Sequence, residues 1–381
     1  MTKIGRVGFV LLLALVGAAG LFGVLAQARA LAKGDAGEVA FGATAVTGSS
    51  AVCEGANLLT NPGFEGTYTP YIYPAPGHPD CQTWDPAMPN QYCERAKMPD
   101  GWHPRWLPDG TREWLVMPEF VPSTPDQVNP DRVRSGQESL HYFSFFTMHE
   151  AAVHQQVTAV PGATYCFSAW GHAWSDRTDN DFYSATDPSN DGDLYQKVGI
   201  DPTGGTDWQS PTVIWSDERK QYDIFGEFTI SATAQANTIT VFVYSRADKP
   251  VKHNDVYWDD ASLQVAPYML VDNNPIGMMA HVLTPTQMTL NVPVTIHPDT
   301  LGWTASFDPS GTITPAFITA SGTGSGQASF TLDSTGLAAG TYTTTLQFTT
   351  SSAATGAPAS VPVAVYVVDN LFQVYLPGAM R

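Results

Sequence analysis

Apolar and polar positions along this chain alternate with a period of two far more often than with a helical period. The clearest run is Thr238-Ile239-Thr240-Val241-Phe242-Val243-Tyr244, a pattern that predicts a strand with one face buried and the other wet. Similar runs bounded by turn residues predict strands at Ser139–Phe146, Ala152–Val160, Ala163–Trp170, Phe225–Ile230 and Asp255–Gln264. Further on, Thr289–Ile296, Gln327–Leu332, Thr341–Thr349 and Ser360–Val368 alternate in the same way. Val160-Pro161-Gly162-Ala163 reads as a tight turn between two strands. No long amphipathic helix is visible. The pattern predicts an all-β chain of short strands, a sandwich or jelly roll.

Composition divides the chain in two. The 381 residues include 36 acidic and 18 basic side chains, a formal charge of −18. The charge is confined. From Asn273 to Val368 the only charged residues are Asp299, Asp308 and Asp333, whereas residues 33–272 hold 32 acids against 14 bases. An acidic chain without a basic cluster has no electrostatic footprint for nucleic acid. The expected organisation is 1–32 targeting segment, 33–52 linker, 53–266 jelly roll, 267–368 Ig-like domain and 369–381 tail.

Lys3 and Arg6 precede an uncharged run from Val7 to Ala26, and Ala28-Arg29-Ala30 and Ala30-Leu31-Ala32 offer small-x-small cleavage sites. This is the layout of a secretory signal peptide, with an uncleaved signal anchor as the rival reading. The expected location is secreted or cell-surface. In an exported chain, four cysteines suggest two disulfides. Three pairings are possible. Cys81 and Cys93 flank a Pro-rich loop and form the natural local pair, which leaves Cys53 with Cys166. Buried free thiols are the alternative, and the lack of a C-x-x-C pair argues against zinc.

Asn57-Leu58-Leu59-Thr60-Asn61-Pro62-Gly63-Phe64-Glu65 resembles the opening strand of the CenC-type carbohydrate-binding modules of families 4, 9 and 22. Gly101-Trp102, Ser135–Leu140, Gln155–Val157 and the closing Val256-Tyr257-Trp258-Asp259-Asp260-Ala261-Ser262-Leu263 follow in that family's order. The excess length over such a module falls in Tyr68–Val133 and Ser175–Asp193, read as loop insertions. The resemblance implies a jelly roll, a glycan or polysaccharide partner, and a structural calcium held by Glu65 and the pair Asp259/Asp260, with carbonyls of the Arg134–Glu138 turn completing the shell. The alternative is that the two aspartates end a strand in solvent. Residues 268–368, with Trp303, Pro309-Ser310-Gly311 and Gly336–Tyr342, look similar to bacterial Ig-like domains of the BACON family, mostly spacers.

Candidate ligand-binding residues are Trp170, Trp174, Trp208 and Trp215, with Tyr183 and Tyr195, because flat aromatic faces pack on the C–H face of a sugar. Burial in the core is the competing role for any one of them. His253 and Asp255, in Lys252-His253-Asn254-Asp255, are expected at the rim of the site; Gly199–Asp207, a Gly/Pro/Asp loop without the Lys of a phosphate loop, is expected to brace. These two stretches are similar to those of secreted jelly-roll proteins of Chloroflexus-like bacteria. Asp187–Asp193 resembles half of an EF-hand loop but has Val198 at the bidentate position, and a solvated acidic loop is the favoured reading. Catalytic patterns are weak. His149-Glu150-Ala151-Ala152-Val153-His154 misses H-E-x-x-H by one residue and lies in a strand-like run, and no G-x-S-x-G elbow occurs. The tail segment Leu371–Pro377 is too short to span a membrane and reads as an extra strand or a surface-attachment tag. The expectation is a non-catalytic glycan-binding protein with possible cell-surface attachment. The alternatives are a structural surface or adhesion protein without sugar binding, and an unrecognised hydrolase. The pattern implies no oligomeric state.

Overall fold

A computed structural model describes residues 52–72, 92–125, 132–177, 185–351 and 353–369. Among them there is no α-helix, and so no helix long and apolar enough to cross a membrane. The fold is all-β sandwich, as the alternation predicts.

Twelve strands precede residue 266: β1 (Thr69–Ile72), β2 (Tyr92–Met98), β3 (His103–Trp106), β4 (Glu119–Ser123), β5 (Ser139–Phe145), β6 (Glu150–Thr158), β7 (Thr164–Asp176), β8 (Leu194–Asp201), β9 (Ile214–Trp215), β10 (Gly226–Thr233), β11 (Thr238–Ala247) and β12 (His253–Val265). They form a seven-stranded sheet, β1-β2-β4-β5-β12-β7-β10, and a five-stranded sheet, β3-β6-β11-β8-β9. Phe120, Leu140, Tyr142, Phe167, Val256 and Trp258 of the first pack against Val153, Val198, Ile200, Ile239, Val241 and Val243 of the second. The segment Tyr68–Val133, expected to be loop, instead supplies β1 to β4 and so widens both sheets.

Nine further strands follow: β13 (Tyr268–Val271), β14 (Ile276–His281), β15 (Gln287–His297), β16 (Gly302–Phe307), β17 (Ala316–Thr319), β18 (Ser321–Thr323), β19 (Gly326–Asp333), β20 (Gly340–Thr350) and β21 (Ala359–Val368). They make sheets β13-β15-β19-β17 and β14-β21-β20-β16-β18, closed over Trp303, Phe330, Phe348 and Val363. β14 runs parallel to β21, and the remaining pairings here are antiparallel.

One expectation fails instructively. The alternation of β11 predicted a wet face, but Thr240, Phe242 and Tyr244 are as buried as Ile239 and Val241. The loop between β8 and β10 folds Trp208, Val213 and Trp215 over Ala152, Phe242 and Tyr244, making a second small core outside the five-stranded sheet.

The segment before β1 seals the sandwich. Asn57 bonds β12 in both directions, its Nδ2 donating to the Ala261 carbonyl and its Oδ1 accepting the Leu263 amide. Asn61 takes a left-handed turn (φ 47°) and caps Glu65 through the Glu65 amide and carbonyl. That turn drops Phe64 onto Trp102, ring centroids 4.6 Å apart. A disulfide joins Cys53 to Cys166 in β7. Cys81 and the Cys93 side chain lie outside the described residues, as do the targeting segment and Leu371–Pro377.

Candidate functional site

Because side chains alternate along a strand, the residues of β5, β7 and β12 that do not enter the core share the outer face of the seven-stranded sheet. β5 presents His141, Phe143 and Phe145. β12 presents His253, Asp255, Tyr257 and Asp259, and β7 presents Trp170, His172, Trp174 and Asp176.

At its centre His141 lies flat on Tyr257, ring centroids 4.3 Å apart and 12° from parallel, and on Phe143 at 4.9 Å. Asp255 fixes the imidazole, with Oδ1 2.9 Å from His141 Nε2. The Arg132 guanidinium lies 4.4 Å from the Trp174 ring centroid and donates to the Tyr257 hydroxyl at 2.8 Å. The stacked rings form part of the lining of a groove of about 830 Å³, together with Tyr68, Lys97, Glu119, Val121 and Glu138. Among the described residues, Lys97, Glu119 and Glu138 have no ion-pair partner. Glu138 Oε2 is buried without a hydrogen-bond partner; burial, with a smaller push from Glu65, raises the Glu138 pKa against a hydrogen bond from the Gly66 backbone. Such a surface can hold an apolar ring face on the stacked aromatics and bond hydroxyls at its charged edge.

Beside the groove lies the corner where calcium was expected. Glu65 reaches the Arg134–Glu138 turn and accepts the Gln137 amide at 2.9 Å. A side chain at Gly136 would collide with Glu65 Oε1, and Gly136 has φ +72°, so glycine is required there twice over. Asp259 Oδ2 accepts the Arg134 and Ser135 amides at 2.8 and 3.1 Å. Burial is the main cause that pushes Asp259 up to about 7. Burial and the charges of Glu138, Asp259 and Glu65 raise the Tyr68 hydroxyl as well. The turn therefore donates N–H groups to Glu65 and Asp259. Asp260 points away and pairs with Arg134 and with Ser135 Oγ. Among the described residues, no three His, Cys, Asp or Glu side chains are placed to hold a metal as they stand. The excess of negative charge around Tyr68 nonetheless suits a hard cation.

The sequence candidates scatter. Trp174, His253 and Asp255 do gather on the groove face, but at 1%, 6% and 1% exposure they support it from below and do not form a rim. His253 is wedged between Trp174 (4.8 Å) and Phe145 (4.5 Å). Trp170 sits at the corner near Asp259, under Arg134. Trp208 and Trp215 belong to the opposite face, where they cover the five-stranded sheet. Tyr195 is on that side too, 4.4 Å from the Arg246 guanidinium. Tyr183 lies outside the described residues.

Between Asp187 and Asp193 the acidic loop, expected to be solvated, keeps Asp187 exposed but buries Asp191. Asp187 closes a local turn on Ser189 and Asn190, while Lys220 Nζ lies 3.0 Å from Asp191 and 2.5 Å from Asp193. Lys249 adds a second ammonium at Asp193. The Gly199–Asp207 loop braces: buried Asp201 accepts the Thr203 amide and hydroxyl and the Thr212 hydroxyl. His149 and His154 do not form a zinc site. His149 is sealed between Ser144 and Ser245, and His154 lies on strand β6 against Phe242.

Sequence reasoning missed His141, Phe143 and Tyr257 as a unit, and also the exposed aromatics Trp114, Phe145 and Phe146. The signal was present in His141-Tyr142-Phe143-Ser144-Phe145, an aromatic at every second position.

No family model matches the chain, and comparison with curated proteins finds no match. Among solved structures, a family 61 carbohydrate-binding module in complex with β-1,4-galactotriose aligns with 55% of this chain and 98% of its own, at 14% identity and TM-score 0.31. The CBM22-1 xylan-binding domain from Paenibacillus barcinonensis aligns with 44% of this chain and 86% of its own, at 9% identity and TM-score 0.26. The adhesin domain of Epf from Streptococcus pyogenes aligns with 62% and 79%, at 11% identity and TM-score 0.25. At these scores the likeness assigns no role to any residue.

Proposed function

We propose that this chain is an exported, non-catalytic glycan-binding protein whose ligand lies in the groove on the outer face of the seven-stranded sheet. Residues 267–368 serve in this reading as an Ig-like spacer. The observation that carries the proposal is a groove in which half-buried Phe143 stacks on His141, itself stacked on buried Tyr257, and which is edged by Lys97, Glu119 and Glu138, none with an ion partner among the described residues. Apolar floor with unspent polar groups at the edge is what a sugar ring requires.

The test is a glycan array probed with the full exported chain, followed by Phe143→Ala. At least one glycan should bind, and Phe143→Ala should weaken it about tenfold, the order of a lost aromatic contact. Absence of binding to any glycan, or unchanged affinity in the variant, overturns the proposal. The same experiment decides the rival reading of a surface protein without sugar binding, which the burial of Trp174 and Trp208 favours.

Calcium at Glu65 and Asp259 belongs to the proposal as a brace of the corner beside the groove. Neutralising crowded carboxylates there would stabilise the fold. EDTA should lower Tm, and an unchanged Tm with no metal found by mass spectrometry would remove calcium from the reading.

A further inference from the structure

Each of the four sheets ends in two edge strands. Among the described residues, every edge but one carries a feature that discourages a further strand. β1 and β3 contain Pro70 and Pro104, and β9 and β18 are only two and three residues long. β17 is four residues with a register shift between Phe317 and Thr319, β10 carries exposed Glu227, and β13 is bridged at Tyr268 by Thr355. Short length, Pro, broken register, charge and cover are the devices that keep one sheet from pairing with another. β14 has none of them. Its six residues, Ile276-Gly277-Met278-Met279-Ala280-His281, lack charge and Pro, and they pair with β21 alone, in unbroken register.

The open side of β14 presents backbone as well as apolar side chains. The Val282 amide donates to the Val368 carbonyl at 3.0 Å. In a parallel pair only alternate residues bond the neighbour, so Gly277 and Met279 aim their N–H and C=O groups away from β21. Met279 is 68% exposed, and Leu283, just past the strand, is 82% exposed. An uncharged edge with bare apolar side chains is a template for another strand.

The chain itself supplies a strand at this place. β21 ends at Val368, opposite His281. His281 Nδ1 accepts the Leu283 amide at 3.1 Å, so Nε2 carries the proton and donates to the Asp369 carbonyl at 3.2 Å. His281 shares the outward side of β14 with Met279, so the chain leaves Asp369 across the end of that strand. The residues that follow are uncharged as far as Met380. Among them Phe372, Val374 and Leu376 alternate with Gln373 and Tyr375, and Pro377, which has no N–H to donate, ends the run. Passing from β21 to the open side of β14 takes about 10 Å, two strand spacings, which three extended residues cover. Phe372–Leu376 then reaches about 17 Å, against about 20 Å for β14.

We infer that Phe372–Leu376 adds to β14 of its own molecule as an antiparallel strand. It closes this edge and shields Met279. The segment guards the second sandwich against edge-to-edge pairing of copies, and its removal uncovers a docking edge.

The test is amide hydrogen exchange over residues 276–283, read by mass spectrometry on the full chain, with sedimentation velocity on the same samples. The wild type should be monomeric, and its slowest amides in this stretch should exchange at least tenfold more slowly than those of Val374→Pro, which removes an N–H in mid-strand. Gly378→Pro, beyond Pro377, should exchange as the wild type does. A chain ending at Asp369 should match Val374→Pro in exchange and self-associate as its concentration rises, and Met279→Lys in that shorter chain should restore the monomer by placing a charge on the edge. Equal exchange in the wild type, Val374→Pro and the shorter chain overturns the added strand. Protection that appears only as the wild type dimerises overturns it too, and makes a second copy the occupant. A shorter chain that loses protection but stays monomeric overturns the guarding role.

Discussion

On the outer face of the five-stranded sheet, the charges around the aromatic rings are matched. Glu218 takes Arg246 and Lys197, Asp248 takes Arg246, and Glu150 takes Arg112 and the Tyr244 hydroxyl. On the outer face of the seven-stranded sheet, Lys97, Glu119 and Glu138 line a groove and have no such partners among the described residues. Both faces are rich in Trp, Tyr, Phe and His. One has been closed by its own loop and its own counter-ions; the other keeps rings and charges available. Aromatic content therefore does not distinguish a binding surface from a second core. Whether the polar groups around the rings are already satisfied does.

The largest test of this contrast is Trp208→Ala. Trp208 is 8% exposed and packs on Tyr244 at 5.3 Å, in the cluster that covers β11. Removing a buried Trp leaves a cavity and should cost about 3–5 kcal/mol of stability, read as a fall in the denaturation midpoint, with no change in glycan affinity of the folded protein. A variant that folds as well as wild type but no longer binds would exchange the roles of the two faces.

That Trp208 reads as a ligand in the sequence shows where sequence reasoning stops. The strands were legible because alternation is local, and Thr238–Tyr244 and Asp255–Gln264 fall inside β11 and β12. The joining of Cys53 to Cys166 followed from pairing the other two cysteines across their loop. The contribution of β1 to β4 was hidden, because Pro-rich connections between short strands look like loop. The site was hidden for a different reason. His141 and Tyr257 are 116 positions apart, and only the antiparallel register of β5 with β12 sets them opposite. Burial of β11 on both faces was equally invisible, since the covering loop comes from residues 208–215.

Next in size is an acid effect expected on both faces. Burial lowers His154, beneath the five-stranded sheet's outer face, and His172, beside Tyr257 on the other, to about 3, and does the same to His149 between the sheets. Each is held neutral in the folded chain and titrates near 6.5 when unfolded. Their contribution is complete above about pH 6.5 and declines as pH falls from there toward 3. At pH 5 each should cost about 2 kcal/mol. Asp259, pushed up to about 7, acts in the opposite sense, favouring the fold as pH falls from 7 toward 4, but it is one group against three. His154→Leu and His172→Phe should each move the acid-unfolding midpoint to lower pH. If either leaves the midpoint unchanged, that imidazole is not held neutral by burial.

The smallest effect is the sharpest discriminator. Glu218→Gln on the closed face and Glu119→Gln on the open one change the same chemistry by the same atom. Glu218 is ion-paired at 2.9 Å with Arg246, and both are about one-quarter exposed, so the pair should contribute no more than about 1 kcal/mol. Glu218→Gln should lower the denaturation midpoint slightly and leave glycan affinity untouched. Glu119 has no ion partner to lose, so Glu119→Gln should leave stability within about 0.5 kcal/mol. It should weaken glycan binding instead, because a charged acceptor bonds a hydroxyl more strongly than an amide does. The two substitutions thus predict opposite corners of a plot of stability against affinity. If Glu119→Gln costs stability and spares binding, the open face is satisfied from within, and the contrast that supports the groove is lost.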